Sequence, residues 1–314
     1  MGLDERRAMT RESAAEVPEL TTLAPERAWR PALQLTGCAQ PHTWEALQCW
    51  EGNGLLFGAL SQEEHPRAMR DARKPALEDA AEAAFRAIFR CIDAKGYPHL
   101  VRVWSYLPRI NVLESGLERY RQFNIGRQDA FAASGRSLTE HLPAASALGG
   151  QTQRLQIGFL AARAPGRSLE SPRQVSAFRY PEDYGPRSPT FARAALIAHQ
   201  DDAALFISGT AAILGHRSLH PGDASAQTRE TIVNLRTMIA EANRIQGTQT
   251  FVAKGLEYVI YLREPADQST VAAELQAWLP GHTHWHFMQA DICRRELLIE
   301  IEAMGLARLE DVRP

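Results

Sequence analysis

Apolar residues recur along the chain with two periods. In "KPALEDAAEAAFRAIFRCIDAKGYPHL", Leu77, Ala81, Ala84, Phe85, Ile88 and Ile92 return at helical spacing, and Gly96 is a suitable stop. "HLVRVWSYLPRI" then alternates, with Val101, Val103, Ser105 and Leu107 on one face and Arg102, Trp104 and Tyr106 on the other, until Pro108 ends the strand. A second helix, "GLERYRQFNIGRQDAF", follows a short loop. "LQIGFLAARA" and "RQVSAFRYP" read as strands, the latter with Ser176, Phe178 and Tyr180 sharing a face. Beyond the loop "PEDYGPRSPTF" the pattern becomes regular. "ARAALIA" and "ALFISGTA" predict a hairpin, and "DASAQTRETIVNLRTMIAEAN" a helix buried along Ile232, Leu235, Ile239 and Ala242. "LEYVIYLRE" predicts a strand, "DQSTVAAELQAWLP" a helix, and "THWHFMQADIC" and "ELLIEIEAMG" two closing strands.

The order β-β-α-β-α-β-β implies an α+β fold: one mixed sheet with two helices packed on one face. The soft stretch "PAASALGGQTQ" (143–153) marks a boundary, giving an N-terminal α+β domain over 26–150 and a C-terminal domain over 151–314, with 1–25 a loose tail. The helix-then-strand order before residue 110 hints at a degenerate copy of the same unit in the first half.

The helix at 116–131 has an unusual stripe. Residues seven apart fall almost in line, because two turns cover about 7.2 residues. Tyr120 and Arg127 therefore face the same way, with Phe123 and Asn124 between them. Two readings are open: a half-buried helix with snorkelling arginines, or a pocket wall that holds a carboxylate.

Composition narrows the class. With 314 residues, 45% apolar, 23% charged and a formal net charge of −2, the chain reads as an ordinary globular protein with no nucleic-acid surface. Cys38, Cys49, Cys91 and Cys293 lack paired or metal-type spacing and read as free thiols in a reducing cytoplasm. "MGLDERRAMTRESAAEVPEL" has no apolar region of a signal peptide, and no apolar run approaches a membrane span, so a cytoplasmic protein is expected. There is no G-x-S-x-G, no G-x-G-x-x-G opening a helix, and no P-loop. "HTHWH" places His282, His284 and His286 on one side of a strand, too close in line to close a tetrahedral metal site, so a polar face near a pocket or subunit contact is expected.

"ELLIEIEAMG" turns Leu297, Ile299 and Ile301 one way and Leu298, Glu300 and Glu302 the other. That second face either meets solvent or lines a cavity. In a cavity, desolvation and the neighbouring carboxylate would both raise the Glu300 pKa and make it a general acid.

The stretch from "FISGTA" to "IEIEAMG" resembles the Rid/YjgF superfamily, small α+β domains that form trimers with a chorismate-mutase-like core. It departs from that family's deaminases, which carry an arginine shortly before the last-but-one strand where this chain has "HFMQADICR". The wider pattern "YLPRIN", "GLERYRQFNIGRQDAF", "FRYPEDYGPRSPTFARA", "FISGTA", "GDASAQT" and "ADICR" is similar to the chorismatase family over about residues 100–303. The resemblance implies loss of pyruvate from chorismate, without cofactor or metal. Tyr120 and Arg127 match the family's substrate-binding pair, Tyr180 a further substrate contact, Arg193 a carboxylate clamp, and Glu300 the catalytic acid. Ala211 and Cys293 occupy the two product-determining positions, a combination that resembles the bacterial branch making 3-hydroxybenzoate together with 4-hydroxybenzoate. Hydrolysis to 3,4-dihydroxycyclohexa-1,5-diene-carboxylate, a Rid-like small-molecule binding protein and an imine deaminase are the alternatives. For assembly, monomer and homotrimer both remain open.

Overall fold

The computed structural model describes residues 20–65, 74–247 and 249–308. Its first elements fall where a loose tail was expected. Leu20–Thr22 is a strand (β1), and Pro25–Gln34 a helix (α1) with Pro25 in the first turn, where its missing N–H costs nothing. The rest of that expectation, residues 1–19, lies outside the described residues.

The strands β2 (His42–Trp44), β3 (Leu47–Gly52) and β4 (Leu55–Gln62) lead into helix α2 (Ala76–Ala94). All six apolar positions of its expected stripe are buried, and Gly96 turns the chain at φ 74°. Then come β5 (His99–Pro108), the two-residue strands β6 (Leu113–Glu114) and β7 (Leu117–Glu118), helix α3 (Arg119–Ala133), β8 (Ala144–Gly150) and β9 (Leu155–Ala162). The second half follows as β10 (Arg167–Leu169), β11 (Ala194–His199), β12 (Asp202–Thr210), a small hairpin β13 (Ile213–Leu214) and β14 (Arg217–Ser218), and α4 (Ala224–Gln246). It closes with β15 (Glu257–Leu262), α5 (Gln268–Trp278), β16 (Trp285–Gln289) and β17 (Ile299–Arg308). Helix α4 begins where the Asp223 carboxylate accepts from Ala226 N at 2.8 Å and ends at Gly247 in the left-handed region.

Pairing reveals a duplication. In the first sheet the strands run β2-β3-β4-β9-β5-β8, and in the second β1-β16-β15-β17-β12-β11-β10. The segment β3-β4-β9-β5-β8 has the order and directions of β11-β12-β17-β15-β16: three antiparallel pairs, then one parallel. The copy hinted at by sequence is thus a complete second unit. The boundary expected at 150 is corrected. Leu155–Ala162, apolar on both faces, inserts between β4 and β5, so the first sheet ends at Ala162 and the polar residues 151–154 are only a turn inside it.

Each sheet carries its two helices on one face, and the two bare faces meet. Phe85, Phe123 and Phe159 fill one outer core, and Leu235, Ile260 and Ile301 the other. Trp104, Tyr106, Phe206, Tyr261 and Leu297 fill the layer between the sheets, joined by Trp29 of α1. Because β5 is buried on both faces, its alternation separates two cores rather than core from solvent. A register shift after Leu100 turns Val101 to the Trp104 side, against the expected alternation.

Two further expectations change. "RQVSAFRYP" is not a strand; Ala177–Arg179 is a turn of 3-10 helix closed by Tyr180 N to Ala177 O, so the three residues do not share a strand face. Among the three histidines only His286 lies on a strand, because β16 begins at Trp285; His282 packs edge-on against Trp285 and Tyr258. Among the described residues no helix is long and apolar enough to cross a membrane.

Candidate active site

Between the ends of the two sheets lies a cavity of about 520 Å³, a size typical of small-molecule sites, whose inner end is a further chamber of about 30 Å³. Both units wall it: α3 and the β6–β7 hairpin from the first, β12, the 290–298 segment and β17 from the second. Tyr120, Tyr180, Arg193, Ala211, Cys293 and Glu300 line the main cavity. Arg127 lines the inner chamber together with Tyr120, Cys293 and Glu300. The structure therefore brings together all seven positions singled out in the sequence.

The stripe on α3 resolves as a wall. Arg127 is almost wholly buried; its Nη2 donates to Asn124 Oδ1 at 2.9 Å and its guanidinium lies 5.1 Å from the Phe123 ring centre. Burial lowers its pKa to about 10, which still leaves it cationic at neutral pH. Its Nε is buried without a partner among the described residues, and no described carboxylate makes an ion pair with it. A buried cation without a counter-ion is costly, so an anion entering this chamber would find a favourable place beside it. The other two arginines of the segment serve differently. Arg119, itself fully buried, turns away to pair with Glu64 and Glu114, and Arg121 lies at the outer cavity wall.

A second guanidinium faces the cavity from the opposite unit. Arg193 Nη2 donates to the Tyr180 hydroxyl at 2.6 Å and to Val175 O at 2.9 Å, while its buried Nε has no partner among the described residues. Tyr184 packs 5.3 Å from Tyr180, and Arg294 lies 4.1 Å from the Tyr184 ring centre, completing an aromatic and cationic rim.

Glu300 and Glu302 sit two residues apart on β17 in opposite circumstances. Glu302 accepts from Arg102 Nη2 at 2.5 Å, Ser146 Oγ at 2.6 Å, Tyr261 OH at 3.0 Å and Trp104 Nε1 at 3.1 Å. Glu300, 3% exposed, faces the cavity instead, and burial first and the Glu302 charge second push its pKa up to about 8. It is held as the protonated acid near neutral pH. Gly209 makes room for it: a Cβ there would lie 1.9 Å from Glu300 Oε1. The Cys293 thiol is pushed up to about 12, chiefly by burial, so it stands in the cavity as a neutral thiol rather than a thiolate.

Sequence reasoning missed Arg102 as the ion that anchors Glu302, and Phe191, Tyr184 and Arg294 as cavity walls. A signal existed for Arg102, a lone charge between apolar residues of a strand. Tyr184 and Arg294 lie in irregular segments, where spacing carries no facing information.

Fold and cavity define a class: a duplicated α+β protein whose paired sheets enclose a protonated carboxylic acid and guanidinium groups that make no ion pair among the described residues. A family model described as "Chorismatase FkbO/Hyg5-like, N-terminal" matches residues 33–161, ending within a residue of the last strand of the first sheet. A chorismatase of Streptomyces hygroscopicus is 37% identical over 257 residues, covering 80% of this chain and 72% of the relative. A 3-hydroxybenzoate synthase of the same organism is 32% identical over 236 residues, covering 72% and 69%. A crystal structure of a chorismatase superposes with a TM-score of 0.77 at 32% identity, covering 85% of this chain and 80% of that one. The chain belongs to the chorismatase family.

Proposed function

We propose that this chain cleaves chorismate to pyruvate and 3-hydroxybenzoate, with 4-hydroxybenzoate as an accompanying product, and that Glu300 is the proton donor. One observation supports this most strongly: a buried acid with its pKa near 8 shares a chamber with the buried, unpaired guanidinium of Arg127. Chorismate presents the matching chemistry, two carboxylates and a vinyl ether. The relatives named chorismatase and 3-hydroxybenzoate synthase support the same substrate and product.

Arg127 and Tyr120 hold one carboxylate from α3, and Arg193 with Tyr180 the other, since a guanidinium fork pairs with a carboxylate through two parallel hydrogen bonds. Glu300 then delivers its proton to the terminal methylene of the enol ether, creating the methyl group of pyruvate and an oxocarbenium-like carbon. The neighbouring ring hydroxyl attacks that carbon, forming a C–O bond and releasing its proton. One ring C–O bond then breaks, and that oxygen leaves as the ketone oxygen of pyruvate as the bond from the former enol carbon to the other ring oxygen also breaks. The other oxygen stays on the ring, takes up a proton, and the ring loses one from carbon as it becomes aromatic. Two protons are taken up and two released, so Glu300 is reprotonated and no water is consumed. Holding the hydroxyl against the developing cation favours this internal capture over attack by water. Ala211 and Cys293 shape the space around the ring and thereby set the product.

The test is incubation of the purified chain with chorismate, followed by chromatography. Pyruvate is expected in an amount equal to 3-hydroxybenzoate and 4-hydroxybenzoate together. Chorismate left intact would overturn the assignment, and the dihydroxydiene as the main product would replace the internal capture with hydrolysis.

A further inference from the structure

Cys293 lies on a segment, Ala290–Leu298, that belongs to no strand and joins β16 to β17. Ile292 and Leu297 of this segment are buried, and its carbonyls lack the ladder that would otherwise hold them. One side chain outside the cavity collects them. Arg263, the residue after β15, donates through Nε to Leu297 O at 3.0 Å and through Nη2 to Ile292 O at 3.1 Å and Arg294 O at 3.0 Å. Its Nη1 donates to Asp291 Oδ1 at 2.5 Å and to Asn111 Oδ1 at 3.1 Å. Five acceptors match the five N–H groups of a guanidinium. The carbonyls on either side of Cys293 are thus clamped by the same nitrogen. The Arg263 backbone is itself anchored, its N–H donating to Leu298 O at 3.0 Å.

We infer that Arg263 is a specificity-determining positioning residue: by clamping the carbonyls of Ile292 and Arg294 it fixes where the Cys293 side chain stands in the cavity, and so how the reaction partitions among its products. This rests on the reading of Cys293 as product-determining. Arg263 does not line the cavity and touches no reacting atom, so its effect reaches the substrate only through that segment. Lysine cannot replace it, because an ammonium has three donors on one point and cannot reach five acceptors spread around a planar fork.

Partition is the informative readout. Partial unfolding lowers the amount of active protein but leaves the ratio of products from the remaining molecules unchanged. Wild type, Cys293→Ala, Arg263→Gln and the double variant are compared at equal conversion of chorismate, with thermal melting to verify folding. The fraction leaving as 4-hydroxybenzoate or dihydroxydiene is expected to change about threefold or more in Arg263→Gln. The double variant is expected to match Cys293→Ala alone, because one residue acts through the other. Should Arg263→Gln fold poorly, Arg263→Lys carries the same test. A wild-type partition in the folded Arg263 variant, with a shifted one in Cys293→Ala, overturns the positioning role and leaves the Cys293 reading intact. A partition unchanged in both overturns both. A change in Arg263→Gln without one in Cys293→Ala shows that Arg263 does not act through Cys293, and overturns the inference as stated.

Discussion

Two glutamates on one strand face illustrate how environment divides a single side-chain chemistry. Glu302 is paired with Arg102 and accepts three further hydrogen bonds, whereas Glu300 is desolvated beside that fixed charge. On the proposed role of Glu300 as proton donor, kcat/KM is expected to stay level below about pH 8 and to fall tenfold per unit above it, measurable as a pH–rate profile. Glu300→Gln is expected to abolish turnover while still binding chorismate in a calorimetric titration. The same shift affects stability. Between the ordinary glutamate pKa and about 8 the folded chain holds a proton that the unfolded chain releases, so stability falls as pH rises through that window. Glu300→Gln removes this cost, and its gain in melting temperature over wild type is expected to be larger at pH 9 than at pH 5. Arg127 tests the anion reading. Losing a charge-assisted carboxylate contact costs roughly 1.5–3 kcal/mol, so Arg127→Ala is expected to raise KM by about 10- to 100-fold, and an unchanged KM would remove the carboxylate wall.

At the scale of elements, two close backbone approaches place these groups. Helix α3 can deliver Tyr120 and Arg127 to the cavity because Gly126 rests on α2, where an added Cβ would lie 2.1 Å from Glu78 O. Strand β12 accommodates Glu300 through a bulge: its pairing with β17 skips between Ile207 and Thr210, leaving Ser208 and Gly209 out of register. Ser208 uses the freedom to tie β12 to the first sheet, accepting from Ala145 N of β8 at 2.9 Å and donating to Ala192 O at 2.6 Å. Gly209 leaves the space that the carboxyl occupies. Gly209→Ala is therefore expected to displace the acid and lower kcat by about 100-fold, as a misplacement of roughly 1 Å does. Circular dichroism should show the fold retained; wild-type kcat in that variant would mean the Glu300 carboxyl works from elsewhere.

For the whole molecule, duplication solves a burial problem. Each unit covers one sheet face with its helices, and the other faces pack on each other, which leaves the cavity at the sheet ends between them. The Arg102–Glu302 pair crosses this interface, Arg102 on β5 of the first sheet and Glu302 on β17 of the second. Removing one member strands the other as a buried charge. Arg102→Ala is thus expected to destabilise the chain by about 3–5 kcal/mol in denaturant unfolding, and a change under about 1 kcal/mol would mean that the two units are not joined electrostatically.

Amphipathic periodicity determined α2, α4 and the alternation of β17 from Ile299 onward, because each depends on which residues follow one another and not on what they meet. Leu297 and Leu298, which precede the strand, face opposite to the expected alternation, Leu297 towards the inter-sheet layer and Leu298 towards the outer core. It also determined the order of elements in the second unit, and motif resemblance marked the seven cavity positions. The extent of the first unit was out of reach: β9 is apolar on both faces and separated from its partners in sequence, so only pairing shows that it belongs between β4 and β5. The histidine run likewise alternates on paper, but β16 starts inside it. Whether Glu300 meets solvent or a cavity was undecided by its strand pattern, which is the same in both cases. Burial and the absence of a side chain at Gly209 decide it, because β12 and the cavity walls meet β17 only in the packed chain; the Glu302 charge, two residues along the same strand, adds to the shift once Glu300 is desolvated.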